Sequence, residues 1–355
     1  MRLVVKVGSN VLTKRDGTMD LGRMASLVGQ IACLMGMGHE VILVSSGAVA
    51  CGRSLIKTDI KLDEVEQRQL FSAVGQVSLM SNYRDLFSRH SIHTGQVLTM
   101  KENFSTRRDY LNQRHCMGVM LRCEVLPIIN ENDTVSVTEL MFTDNDELSG
   151  MIATMMGADM LIILSNIDGI YDGNPTMAGT KVIRKIEPGK DLSRYIQLGR
   201  SSFGRGGMLT KSSIAAKVAQ EGIKVIIANG LKDNILPDLL EHPETTVHTE
   251  FVPVENGVSS VKKWIAHSDG FAKGRIVIND KALERLMEKK AMSLLMVGVT
   301  AVQGEFEEGD IISVVDSSDR VVAVGKSAYS NEQAAKLIGA HDVKPIIHYD
   351  YLYIL

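Results

Sequence analysis

Val4-Val5-Lys6-Val7-Gly8-Ser9-Asn10 sets a single lysine inside an apolar run that stops at a glycine. Leu3–Val7 is short, β-branched and almost continuously apolar, which is the signature of a strand covered on both faces. An ammonium group inside such a strand is costly to bury without partners. Gly8 lets the backbone turn closely, and Ser9 and Asn10 bring hydrogen-bond donors. A strand end of this kind presents a fixed positive charge and open N–H groups to an anion. Taken alone, an edge-strand lysine with its head in water is the simpler account of Lys6.

Working outward, the same kind of run recurs. Glu40–Val44, His93–Leu98, Val125–Ile129, Met160–Leu164 and Lys224–Ala228 read as strands. Helical stretches separate them: Leu21–Gly36, Leu62–Arg89, Thr106–Arg122, Asp146–Met156 and Leu209–Gln220. Gly36 and Gly38, Gly157 and Gly222 stand where helices want a left-handed C-terminal cap. Strand and helix in alternation imply an α/β fold, an open and mostly parallel sheet sandwiched by helices.

The alternation fails between His242 and Gly274, where prolines, glycine, serines and mixed charge surround the lone Trp264. Domain limits follow: 1–255 for the α/β unit, 256–273 for a linker, and 274–350 for a smaller unit. That last unit is mostly β, with a helix at Ala282–Lys289, strands at Ile311–Val315 and Val321–Lys326, and a compact part closing near Val343.

The 355 residues suit two domains, and 45% hydrophobic with 23% charged residues is ordinary for a globular enzyme. A net charge of −3 argues against a protein built to hold nucleic acid, so RNA is not an expected partner. Cys33, Cys51, Cys116 and Cys123 form no CxxC pair and read as reduced thiols. No run reaches the length of a signal peptide or a membrane span, so a cytoplasmic protein is expected.

Three further segments carry chemistry. Val44-Ser45-Ser46-Gly47-Ala48 is a strand running into a small-residue turn, at the strand end toward which Lys6 points. A tight turn that merely needs small residues explains it as well. Pro127-Ile128-Ile129-Asn130-Glu131-Asn132-Asp133 and Thr143-Asp144-Asn145-Asp146-Glu147 crowd amides and acids after a strand and before a helix. They read either as a solvated loop with a helix cap or as a seat for an ammonium group that also orders nearby lysines. Gly204-Arg205-Gly206-Gly207-Met208-Leu209-Thr210-Lys211 leads a glycine-rich loop into a helix, a good polyphosphate cradle although it lacks the Walker spacing. Two lysines, a polar turn and an acidic organiser suit in-line phosphoryl transfer, which needs positioning and charge neutralisation.

In that order, Lys6-Val7-Gly8-Ser9, Ser45-Ser46-Gly47-Ala48, Asn130-Glu131-Asn132-Asp133, Asp144-Asn145-Asp146 and Gly206-Gly207-Met208-Leu209-Thr210-Lys211 resemble the glutamate 5-kinases of proline biosynthesis, within the amino-acid kinase family. The resemblance spans nearly the whole chain and includes a PUA-like segment at Gly274–Val343. It implies a phosphotransferase with a carboxyl acceptor: L-glutamate and ATP yield L-glutamyl 5-phosphate and ADP. By position it implies that Lys6 and Lys211 neutralise the phosphates, that Asp146 holds those lysines, and that Ser46, Asp133 and Asn145 bind glutamate. Lys6, Ser165, Asn166, Arg205, Gly206, Gly207, Met208, Leu209, Thr210 and Lys211 are then the nucleotide side. Mg2+ is expected to ride on the ATP phosphates, with no protein ligand assigned.

The resemblance further implies a homo-oligomer (dimer or tetramer), proline as feedback inhibitor and a glutamate-5-phosphate reductase as partner. The family commonly carries Asp where this chain has Asn166, and Thr where it has Arg205, so nucleotide contacts are where departures are expected. Relatives that phosphorylate N-acetylglutamate, aspartate or nucleoside monophosphates share the fold. Asp133 disfavours a phosphorylated acceptor, and the PUA-like tail disfavours most of the others. An RNA-binding protein with a degenerate kinase site is opposed by the acidic net charge and the intact lysines.

Overall fold

Strand β1 (Arg2–Val7) pairs in parallel with β2 (Glu40–Ser45) on one side and with β5 (Met160–Ser165) on the other. A strand flanked on both sides has no free edge, so the edge-strand account of Lys6 does not hold. The structure is a computed structural model. It describes residues 1–104, 106–135, 145–174, 177, 179–190, 208–254, 265, 272–288 and 292–354, with Leu209 by its backbone alone. The chain divides into two units, Met1–Lys101 with Gln113–Gly257, and Glu102–Asn112 with Val258–Leu355.

In the first unit, α1 (Ser9–Leu12) and α2 (Leu21–Gly36) precede β2, and α3 (Ala48–Leu55) and α4 (Glu64–Ser88) lead to β3 (His93–Thr99). Helix α5 (Arg107–Arg122), which belongs to the first unit only from Gln113 onward, precedes β4 (Val125–Glu131), and α6 (Asn145–Met156) precedes β5. Then come β6 (Lys185–Ile186), α7 (Met208–Gln220), β7 (Lys224–Asn229), α8 (Ile235–Glu241) and β8 (His248–Phe251). The strands lie in the order β3-β4-β2-β1-β5-β7-β8-β6. From β3 to β7 the neighbours run parallel; β8 reverses against β7, and β6 follows β8. The strand β8 falls in the stretch where the sequence alternation had broken down.

Alternation along β1 decides where Lys6 goes. Leu3, Val5 and Val7 join a core with Leu27 and Ile31 of α2, Leu79 and Tyr83 of α4, and Leu236 of α8. Successive side chains point to opposite faces of a sheet. Val4 and Lys6 therefore face the other layer, where α6 packs on β1 and α7 packs on α6. Local chemistry sets the helix limits. Asp63 accepts from the N–H groups of Val65 and Glu66 while Glu66 reaches back, a capping box that starts α4 at Glu64. Of the two glycines expected to close α2, Gly36 is its last helical residue and Gly38 takes the left-handed turn at φ +82°.

The second unit carries β9 (Gly274–Ile278), α9 (Asp280–Met287), β10 (Val299–Gly304), β11 (Ile311–Val315), β12 (Val321–Lys326), α10 (Asn331–Lys336) and β13 (Leu352–Ile354). Its sheet runs β10-β9-β11-β12-β13, antiparallel except for β9 beside β11. Ile276, Phe306, Ile312, Val314 and Ile347 fill a core of its own. Since β13 pairs with β12, the sheet continues past Val343, where composition alone suggested an end. No described helix is long and apolar enough to cross a membrane.

Candidate active site

Parallel strands bring their carboxyl ends to one edge of the sheet, which is where open α/β folds bind ligands. Gly8 after β1, Ser45 of β2 with Ser46 just after it, Asn130 and Glu131 of β4, and Ser165 of β5 meet there. The backbone joins them: Gly8 N–H donates to the Leu164 carbonyl at 3.3 Å, and Ser46 N–H to the Val7 carbonyl at 3.1 Å. Gly47 follows at φ +110°, a conformation that suits glycine, and lets the chain turn straight into α3.

Asp146, in the first turn of α6, has no exposed surface and takes both lysines. Lys6 Nζ lies 2.5 Å from its Oδ1 and Lys211 Nζ, from α7, lies 2.8 Å from its Oδ2. The lysine side chains are only 6% and 12% exposed. Burial pushes the Asp146 carboxyl up, but Lys6 and Lys211 outweigh it and hold the group below its usual value. One carboxylate thus fixes two buried ammonium groups side by side. That is an anion seat with a net positive charge, and it accounts for a lysine in the middle of an apolar sheet.

Beside the triad runs a line of amides. Asn145 Nδ2 donates to Ser46 Oγ at 2.8 Å, to Asn130 Oδ1 at 3.0 Å and to the Ser45 carbonyl at 3.3 Å. Asn130 Nδ2 donates to Gln76 Oε1 at 2.9 Å. Past β4, Asp133 is buried, and Arg68 of α4 reaches it with Nε at 2.7 Å while Nη2 holds Glu131 at 2.9 Å. Burial pushes the Asp133 carboxyl above its usual value, and Arg68 pulls it back only in part. Lys101 pairs with Glu147 of α6 at 3.0 Å.

On the other side of the triad, Ser165 is buried at the end of β5 and exposed Asn166 follows it. Met208, Thr210 and Lys211 open α7, whose N-terminus carries partial positive charge. Arg205, Gly206, Gly207, Asp144 and nearly all of 256–273 lie outside the described residues, as does the side chain of Leu209. Asp168, after β5, is held by Lys232 at 2.7 Å and by Asn229 of β7 at 3.0 Å. Among the described residues no group of three His, Cys, Asp or Glu stands ready for a metal ion.

Residues 1–229 match the amino acid kinase family and residues 274–349 match the PUA domain. The chain belongs to the amino acid kinase family. Two relatives carry the name glutamate 5-kinase. The protein of Bacteroides thetaiotaomicron is 63% identical over 353 residues, covering 99% of this chain and 98% of its own. That of Chlorobaculum tepidum is 46% identical over 356 residues, covering 100% and 97%. A solved isopentenyl phosphate kinase in complex with its substrate superimposes with a TM-score of 0.50 at 16% identity, over 70% of this chain and 98% of that one, and supports the fold alone.

For this amino acid kinase, the structure brings Lys6, Lys211 and Asp146 into one cluster, and Ser46 with Asn145 into a second. Asp133 joins neither directly; its partner is Arg68. Sequence reasoning passed over Arg68 and Gln76, which look like ordinary positions of a long helix. It quoted Asn130 and Glu131 within a motif but gave them no part. The signal for Arg68 lay in charge: Glu131 and Asp133, close to a strand end, needed a cation from elsewhere in the chain.

Proposed function

We propose that this chain is an ATP-dependent glutamate 5-kinase that transfers the γ-phosphoryl group of ATP to the side-chain carboxylate of L-glutamate. The observation that carries the chemistry is Asp146 holding Lys6 and Lys211 together at the carboxyl edge of the sheet. Identity over the full length to the relatives of that name supports the acceptor. A carboxylate is already ionised at neutral pH, so the attacking oxygen needs no general base. That agrees with a site whose central carboxylate is spent on lysines.

A carboxylate oxygen of glutamate attacks the γ-phosphorus, the bond from that phosphorus to the bridging oxygen breaks, and ADP leaves with the electron pair. Lys6 and Lys211 meet the negative charge spread over the phosphoryl oxygens, already oriented and sheltered from water. Asp146 holds both ammonium groups in place before ATP arrives. Ser46 and Asn145 position the acceptor, and Asp133 faces its α-ammonium. Ser165, Asn166 and the segment from Arg205 to Lys211 serve the nucleotide. Mg2+ would travel on the ATP phosphates, whose hard oxygens suit it, because Asp146 has both oxygens engaged. A homo-oligomer, proline as feedback inhibitor and transfer of the product to a reductase complete this reading, with residues 1–255 as kinase domain and 274–350 as PUA-like domain.

The test is glutamate-dependent ADP release with Mg·ATP, the product trapped as a hydroxamate by hydroxylamine. Lys6→Ala and Lys211→Ala are each expected to lose about 100-fold or more in kcat, the scale for a single charge-stabilising group. Hydroxamate from another acid but none from glutamate would overturn the acceptor, and full turnover in either variant would remove that lysine from the mechanism.

A further inference from the structure

Gln76 of α4 is 8% exposed, and its amide oxygen receives Asn130 Nδ2 at 2.9 Å. The direction of that bond is set by main-chain groups further along the line. Glu131 N–H can only donate, and it gives its hydrogen to Asn130 Oδ1 at 2.9 Å. The Ser45 carbonyl can only accept, and it takes Asn145 Nδ2. These anchors turn Asn130 Nδ2 toward Gln76, so Gln76 must offer its oxygen there and aim its Nε2 elsewhere. That Nε2 is buried and has no hydrogen-bond partner among the described residues. A buried donor left unmade costs stability, and beside a ligand site it marks where an acceptor atom arrives with the ligand.

We propose that Gln76 is an acceptor-binding residue whose Nε2 donates to the α-carboxylate of the amino acid, an inference that rests on L-glutamate as acceptor. The order of side chains selects the α-carboxylate over the side-chain one. The side-chain carboxylate must meet the phosphoryl group at Lys6 and Lys211, around Asp146. Asn145 adjoins Asp146 in sequence, Asn130 bonds to Asn145, and Gln76 bonds to Asn130. Gln76 therefore stands two amide side chains away from the transfer centre. Asn130, which bonds to Gln76, and Asp133 lie at the end of the same strand, so the partners offered to the α-carboxylate and the α-ammonium are both tied to that strand end.

γ-Aminobutyrate is glutamate without its α-carboxylate, and the pair isolates this contact. Dissociation constants for both are measured by titration calorimetry on the full chain, wild type and Gln76→Leu. Glutamate binding is expected to weaken about 10- to 100-fold, the range for a hydrogen bond to a charged group, while γ-aminobutyrate changes less than about 2-fold. Equal weakening of both ligands, or of neither, would overturn the assignment. Gln76→Glu keeps an oxygen for Asn130 and sets a second acceptor where Nε2 stood, which covers a Leu variant that fails to fold. Glutamate affinity should fall in it at least as far with γ-aminobutyrate unchanged, and an unaltered glutamate affinity would likewise sink the proposal. If wild type binds glutamate but forms no hydroxamate, the assigned reaction fails, while Gln76 is still decided by the two affinities.

Discussion

Asp146→Asn removes one charge while keeping shape, at a position with no exposed surface between two nearly buried lysines. Breaking a buried ion pair by removing one partner costs about 3–5 kcal/mol. The amide oxygen still accepts from one lysine, which places the expected loss near the lower limit, about 3 kcal/mol. For a unit of this size each kcal/mol shifts the melting temperature by about 2–4 °C, so calorimetry at pH 7 should show a fall of about 6–12 °C. Acid supplies a second, independent reading. The carboxyl lies below its usual value of 3.8 in the folded chain, so its stabilisation is fully present above that value. It is lost only as the pH falls through the lower, folded value. The gap between wild type and variant should therefore hold from about pH 8 to pH 5 and close only below about pH 4. Melting within about 2 °C of wild type at pH 7, or a gap that persists undiminished at about pH 3, would refute the idea that one carboxylate organises both ammonium groups.

Asp133, pushed up by burial, loses its charge at a higher pH than an ordinary carboxylate. The proposed ammonium seat needs the ionised form, so kcat/KM for glutamate should fall on the acid side through that raised value while kcat/KM for ATP does not. In a pH–rate profile, Asp133→Asn should abolish this limb and lower kcat/KM for glutamate about 10- to 100-fold; a limb that survives the substitution belongs to another group. Gly75→Ala tests how the site is braced, because a methyl there would overlap the Ala48 carbonyl oxygen and the Gly52 amide, forcing α3 off α4. Overpacking of this kind costs about 1–3 kcal/mol. A lower melting temperature by circular dichroism and a higher KM for glutamate are both expected, and an unchanged melt would mean that the two helices have room to spare.

The strands β1, β2, β4, β5 and β7 could be read from the chain because each is a nearly continuous apolar run, and β11 and β12 matched residue for residue. The long helices were equally legible, bounded by Asp63 at one start and Gly38 after one end. Short elements were not. Helix α3 and strand β8 carry too few residues for a period to show, and they form because the sheet and α4 already stand beside them. Arg68 and Gln76 sit in a helix whose sequence gives no sign of a site. Only the crossing of α4 near the end of β4 makes them partners of Glu131, Asp133 and Asn130.

From sequence alone, Lys6 was a charge in an apolar strand, with motifs in an order shared with one enzyme family. That was enough for the fold and the family. The tertiary structure decided that β1 is central, that strand alternation turns Lys6 toward α6, and that Asp146 takes both lysines at once. The reason is physical: a buried charge is stabilised by what lies within a few ångströms in a medium of low polarity. Residues far apart in the chain become such neighbours only when the strands and helices that carry them pack together.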